Sequence, residues 1–342
     1  MIVVMQRDST QAHLEGVKGR IEGHGLKAQV SEGVERTVVG VLGQTYRELK
    51  DELELLPGVS EVVLISKPYK LSSREFKPED TIVKVGDISI GGDEVVVMAG
   101  PCAVESEKQM LTTAWEVKKA GAHILRGGAF KPRSSPYSFR GMGVQGLQLL
   151  AKAREETGLP VITEVMSTED VGMVAQYADI LQIGSRNAQN FNLLDAVGKV
   201  RKPVMVKRGF AASYEEWLLA AEYVLSGGNS QVILCERGIR TFETATRFTL
   251  DLAAIPMIKN LSHLPIISDP SHSTGKTNLV PPMVLASVAA GAHGLIVEVH
   301  PDPATAMCDG AQALTFEIFN QTMGQLNDVA AALGRGRVKV AV

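Results

Sequence analysis

Arg126, Lys131, Arg133, Arg186, Lys207 and Arg237, with Cys102, His272, Glu298 and Asp309, are the side chains best suited to chemistry in this sequence. Arginine's planar fork grips carboxylate or phosphate through two parallel hydrogen bonds, and lysine adds a point charge. Six cations gathered in one place would repel one another unless anions arrived. The guest they suit therefore carries several negative charges, more than one phosphate would bring. A thiol, an imidazole and two carboxylates form a mixed soft and hard donor set. Such a set suits a divalent ion such as Mn2+, Fe2+, Co2+ or Zn2+, rather than Ca2+ or Mg2+ alone. Taken singly, each residue has a plainer reading. An arginine at a strand end can pair with Glu164, Glu236 or Glu298, Cys102 can be a small buried hydrophobe, and His272 can cap a helix.

Only the fold can bring these distant positions together. From residue 94 onward, apolar β-rich runs recur: VVVMAG, HILRGG, PVITEV, ILQIG, PVMVKR, QVILCE, PIISDP and GLIVEV. Helical patterns such as MLTTAWEVKKAG, GLQLLAKAREETG and YEEWLLAAEYVLSGG lie between most of them. Eight strands alternating with helices over about 250 residues is the size of a (β/α)8 barrel, which we expect here in preference to an open doubly wound sheet. A reactive or charged residue follows each run: Cys102, Arg126, Glu164, Arg186, Lys207, Glu236 with Arg237, Asp269 with His272, and Glu298. In a parallel barrel such positions converge on the C-terminal mouth. The segment ILRGGAFKPRSSPYSFRGMGVQG adds Lys131, Arg133 and Arg140 to Arg126 in one loop.

The segment before the barrel reads as βαββαβ, the ferredoxin-like order. MIVVMQ, KAQVSEG, RTVVGVLG and VSEVVLIS are its strands, Ser9 or Thr10 caps the first helix, and TYRELKDELELL is the second. We expect this α+β unit over residues 1–66 and an aperiodic linker, KPYKLSSREFKPED, over 67–80. The barrel then fills 81–342, opening with a hairpin, TIVKVGDISIGGDE, turned at its Gly-Gly pair.

The chain has 342 residues, with 35 Lys and Arg against 38 Asp and Glu. That balance argues against nucleic-acid binding by bulk charge, so positive charge must act locally. Cys102, Cys235 and Cys308, an odd number without framework spacing, point to a reducing, cytoplasmic setting. MIVVMQRDST has no basic lead-in, so no signal peptide is expected, and the uncharged span 277–297 reads as buried barrel interior rather than a membrane segment. Cys235 is expected to face the packed layers, and Cys308 carries no assigned role. His13, His24, His123, His263 and His293 read as structural, whereas His300 beside Glu298 stays open. GMGVQG, 141–146, matches a dinucleotide fingerprint, but no strand precedes it, so it is read as a loop entering a helix.

The blocks AGPCAVES, LRGGAFKPRSSPYSF, QIGSRNAQN, VKRGF, CERG, DPSHSTG, VEVHP and CDGAQAL resemble the signatures of 3-deoxy-D-arabino-heptulosonate 7-phosphate (DAHP) synthases. The resemblance covers the whole barrel. The N-terminal unit is similar to the regulatory ferredoxin-like domain of one subgroup. The resemblance implies condensation of phosphoenolpyruvate with erythrose 4-phosphate and water, the entry step to aromatic amino-acid biosynthesis. It implies Cys102, His272, Glu298 and Asp309 as metal ligands. Arg126, Lys131, Arg186, Lys207 and Arg237 would contact phosphoenolpyruvate. Arg133 and Ser134 would hold the sugar phosphate, with Lys131, Pro132 and Asp269 near the rest of that substrate. Ser134 stands where the family often has Thr, which keeps the hydroxyl. Lys131 would donate a proton to the nascent alkoxide. Feedback inhibition by tyrosine or phenylalanine bound to the small domain, docking of that domain over the mouth, and a homotetramer are further implications. A 3-deoxy-D-manno-octulosonate 8-phosphate (KDO8P) synthase shares the GPC start but typically carries an Asn-containing loop where this chain has KPRS.

Overall fold

The structure is a computed structural model that describes residues 1–33, 36–43, 45–64, 68–133 and 135–336. It forms two compact units, Met1–Asp80 with Leu261–His263, and Thr81–Asn260 with Leu264–Val342.

In the first unit, β1 (Ile2–Met5), β2 (Lys27–Glu32), β3 (Thr37–Leu42) and β4 (Val59–Val63) form an antiparallel sheet ordered β2-β3-β1-β4. The helices α1 (Gln11–Gly23) and α2 (Arg47–Glu54) supply Leu14, Val17, Ile21, Leu49 and Leu53 to one core with Val3, Val39 and Val62. Thr10 is the N-cap of α1, and its hydroxyl accepts from the His13 amide. The four-stranded sheet and two helices have the ferredoxin-like order the sequence predicts. The segment expected to be a linker is packed rather than free. Tyr69, Leu71 and Phe76 are buried, and Leu71 and Phe76 lie close to Gly40 of β3. Three apolar side chains without periodicity carry no helix or strand signal, yet they still bury area.

The second unit opens with the hairpin β5 (Val83–Val85) and β6 (Ile88–Ile90). Its turn is Gly86–Asp87, with Gly86 at φ +56, and not the later Gly91–Gly92 pair expected from sequence. Eight parallel strands follow: β7 (Val96–Gly100), β8 (Ile124–Arg126), β9 (Val161–Glu164), β10 (Ile180–Ile183), β11 (Val204–Lys207), β12 (Val232–Glu236), β13 (Ile266–Ser268) and β14 (Gly294–Glu298). Pairing of β14 with β7 closes the barrel, as the sequence predicts. Val83, Val85 and Ile90 of the hairpin join Val96, Ile124 and Ile180 at the strand starts in one apolar cluster, sealing that end.

Strand geometry then fixes the mouth. Successive side chains alternate between the two faces of a strand. The barrel interior holds Met98, Ile124, Ile162, Ile180, Met205, Ile233, Cys235, Ile267 and Ile296. Two residues beyond such an interior position stand Arg126, Glu164, Gln182, Lys207, Arg237, Asp269 and Glu298, so the same register that fills the core aims these residues inward at the mouth. Cys102 stands four beyond Met98, after Gly100 at φ +151. A Cβ on Gly100 would sit 2.1 Å from the Arg126 carbonyl oxygen, so the chain can pass there only as glycine.

Candidate active site

The four proposed ligands, drawn from segments far apart in sequence, meet at one point. One ligand atom each from Cys102, His272, Glu298 and Asp309 lies within 4.8 Å of every other. His272 Nε2 is 3.1 Å from Glu298 Oε1 and 4.0 Å from Asp309 Oδ2, and Cys102 Sγ is 3.6 Å from Asp309 Oδ2. Donors about 2.0–2.3 Å from a tetrahedral ion stand roughly 3.3–3.8 Å apart, so this cluster fits a divalent ion with little adjustment.

Each ligand is held by a second contact. Asp269 caps the short helix Pro270–Thr274, accepting the His272 amide at 3.0 Å through Oδ1. Its Oδ2 lies 2.8 Å from His272 Nδ1 and also pairs with Lys207. An imidazole that ligates through Nε2 would keep its proton on Nδ1, facing Asp269. Burial pulls His272 down from its ordinary value, partly opposed by Asp269 and Glu298. Glu298 is buried. It pairs with Arg126 at 3.0 Å and accepts from Gln312 Nε2 at 2.7 Å. Burial works against the Glu298 charge, but His272 and Arg126 outweigh it and hold the carboxyl below its usual range. Burial also opposes the Asp309 charge. Arg247, 3.1 Å away, then His272 dominate and bring its carboxyl to about 2. Asp309 takes a left-handed backbone, φ 51, a conformation a non-glycine keeps only where its surroundings demand it. The Cys102 thiol is pushed well up, first by its contact with Cys308 and then by burial.

Beside this cluster, Arg126, Lys131, Arg133, Arg186, Lys207, Arg237 and Arg247 line a single cavity with Pro132, Glu164, Gln182 and Asp309. All six cations singled out in the sequence are there. Several already have partners: Arg126 with Glu298, Lys207 with Asp269, and Lys131, whose ammonium donates to Cys102 Sγ at 3.0 Å and to the Cys102 carbonyl at 3.1 Å. Others keep capacity in reserve. The Nε atoms of Arg126 and Arg133 and the Ser185 hydroxyl are buried without a hydrogen-bond partner. Buried donors without acceptors are unfavourable, and an incoming anion would satisfy them.

Other placements depart from the sequence reading. Glu236 does not face the mouth. It follows Cys235 by one residue, so it points to the helix side, where it pairs with Arg208 at 2.9 Å. Arg208 also holds Asp251 at 2.8 Å. Asp269, expected near a substrate, lies wholly buried behind His272 and Lys207. Ser134 lies outside the described residues. His300 pairs with Glu105 at 3.2 Å, away from the cavity lining. His123 and His293 accept backbone amides at strand starts, from Val97 and Ile266. GMGVQG is a loop entering a helix, as read: Gly143 is the N-cap of the helix Val144–Thr157, and Gly143 N donates to Ala129 O at 2.9 Å. Arg247, Gln312, Phe210 and Cys308 escaped the sequence reading. Cys308 Sγ stands 3.0 Å from Cys102 Sγ, both as free thiols. Among the described residues no helix is long and apolar enough to cross a membrane.

The Arg208 cluster yields a stability prediction. Arg208→Ala would leave Glu236 buried and uncompensated, so unfolding in urea should show a loss of about 3–5 kcal/mol, and an unchanged midpoint would contradict the assignment.

Comparison with known proteins follows the same two-part division. Residues 70–333 match the DAHP synthetase I family and residues 1–67 the DAHP synthase ferredoxin-like domain. The chain is 50% identical over 334 residues to the phospho-2-dehydro-3-deoxyheptonate aldolase of Thermotoga maritima, covering 98% of this chain and 99% of that one. A crystal structure of the Thermotoga maritima DAHP synthase superposes with a TM-score of 0.78 at 49% identity, covering 98% of each chain. A 2-dehydro-3-deoxyphosphooctonate aldolase of Syntrophotalea carbinolica is 32% identical over 271 residues, 74% of this chain and 96% of that one. Matched in both units and along nearly its whole length, the chain belongs to the DAHP synthetase I family, and it is an enzyme of that kind carrying the family's ferredoxin-like domain ahead of its barrel.

Proposed function

We propose that this enzyme condenses phosphoenolpyruvate with erythrose 4-phosphate and water to give DAHP and phosphate, with a divalent metal ion held by Cys102, His272, Glu298 and Asp309. The observation that carries the reading is the cationic cavity, with unsatisfied arginine donors, lying directly against a four-donor cluster. Arg186, Arg237, Lys207 and Arg126 hold the phosphate and carboxylate of phosphoenolpyruvate. Arg133, with Ser134, holds the sugar phosphate, and Pro132 shapes the wall beside it. Asp269 orients His272 and Lys207. When bound, the ion supplies Lewis acidity toward the aldehyde carbonyl. Lys131 stands beside Cys102 and delivers a proton to the oxygen formed there.

Phosphate release by the full chain with each sugar phosphate tests this. Erythrose 4-phosphate should turn over and arabinose 5-phosphate should not. The opposite preference would favour KDO8P synthesis, a second reading supported by the 32% identity to the octonate aldolase. Because the Cys102 thiol must lose its proton to ligate, metal affinity should rise about tenfold per pH unit while the thiol is protonated. Calorimetry in two buffers of different ionisation enthalpy should show that proton released, and equal heats would refute it. Regulation by tyrosine or phenylalanine, a homotetramer and a cytoplasmic setting complete the reading. Support for these comes from the family and the domain order. Deleting residues 1–66 should keep turnover and remove inhibition, and inhibition that persists would exclude the regulatory part.

A further inference from the structure

Arg237 is 4% exposed, faces the cavity, and among the described residues has no carboxylate within ion-pair distance. Its hydrogen bond to the Gly238 carbonyl is long, 3.5 Å. The acids nearest in sequence are occupied elsewhere. Glu236 is held by Arg208 and the Gly238 amide, and Asp251 by Arg208 and the Tyr214 hydroxyl. Burial brings the Arg237 guanidinium down to about 10, opposed at a distance first by the charge of Asp269 and furthered by Arg247, since no acid touches it directly.

Aromatic rings surround it instead. The guanidinium carbon is 4.2 Å from the Phe248 ring centroid and 4.9 Å from that of Phe210, and the two rings stack 4.9 Å apart at 7°. Phe248 is anchored from behind, its amide donating to Ser273 O at 2.8 Å. Gly238, at φ +89, admits it: a Cβ there would stand 2.7 Å from the Phe248 Cβ. A π face attracts the cation without occupying its N–H donors or neutralising its charge, whereas a carboxylate would do both.

We infer that Phe248, stacked on Phe210, is a positioning residue that holds the Arg237 guanidinium toward the cavity as an uncommitted receptor for an anionic group of phosphoenolpyruvate, and so sets affinity for that substrate without touching it. Phe248 is absent from the cavity lining, while Phe210 and Arg237 are on it. The inference rests on the phosphoenolpyruvate reading above.

The test compares the full-length wild type with Phe248→Leu, which keeps bulk and removes the π face, and Phe248→Tyr, which keeps both. Phosphoenolpyruvate binding by calorimetry and steady-state kinetics are read together. Phe248→Leu should weaken binding and raise KM for phosphoenolpyruvate roughly 10- to 30-fold, with kcat and KM for erythrose 4-phosphate within about threefold. Phe248→Tyr should restore the wild-type values. Should Phe248→Leu not fold, Phe248→Met, which also lacks the π face, must show the same split. Unchanged binding in the leucine variant, loss of kcat at constant KM, or a tyrosine variant as poor as leucine would each overturn the inference alone. A wild type that does not bind phosphoenolpyruvate would overturn the substrate reading, and this inference with it.

Discussion

Replacing His272 by alanine should lower turnover by on the order of a thousandfold and remove the bound metal, because the several kcal/mol that a Lewis acid contributes at a developing alkoxide is lost with the ion. The fold should survive. Asp269 loses one partner but keeps Lys207, so no buried charge is left alone. The effect should therefore be chemical, with the unfolding transition little changed. Cys102→Ser should behave alike, since a hydroxyl does not ionise to ligate as a thiol does. A His272→Ala enzyme that still binds an ion and turns over at the wild-type rate would exclude this site.

The second large effect is expected at Lys131. Lys131→Met keeps most of the side-chain volume and removes the ammonium that reaches Cys102 Sγ at 3.0 Å. If Lys131 supplies the proton, kcat should fall by about 10²–10⁴-fold. Metal content distinguishes this from the His272 variant. The methionine enzyme should still carry one ion per chain, bound more weakly because a cation near the thiolate is gone. A KM increase at constant kcat would make Lys131 a binding group only.

Much of this site could be read in the sequence because strands are strictly periodic. Once the eight apolar runs are taken as barrel strands, the residue two beyond an interior position must face the mouth. That rule places Arg126, Lys207, Arg237 and Glu298 correctly. Applied more strictly, it would have found Gln182, two beyond Ile180, and set aside Glu236, one beyond Cys235. Residues on loops obey no period. Arg247 reaches Asp309 from a loop, Gln312 reaches Glu298 from a single 3-10 turn, and Cys308 meets Cys102 across 206 positions. No spacing rule predicts such meetings, since they depend on where long connections return. The packing of residues 68–80 escapes the sequence for the same reason: the buried residues Tyr69, Leu71 and Phe76 follow neither helical nor strand spacing. The hairpin turn was misplaced because two glycine-containing pairs compete, and only the Val85–Ile88 pairing selects Gly86–Asp87.

On the proposed reading, four dispersed side chains share one ion that the reaction requires. The direct measurement is phosphate release by the wild type after chelation and after repletion with Mn2+, Fe2+, Co2+ or Zn2+, with ion content determined on the same samples. Turnover should be negligible without metal, and recovery should track occupancy up to one ion per chain. Full activity in metal-free protein, or recovery unrelated to occupancy, would contradict it.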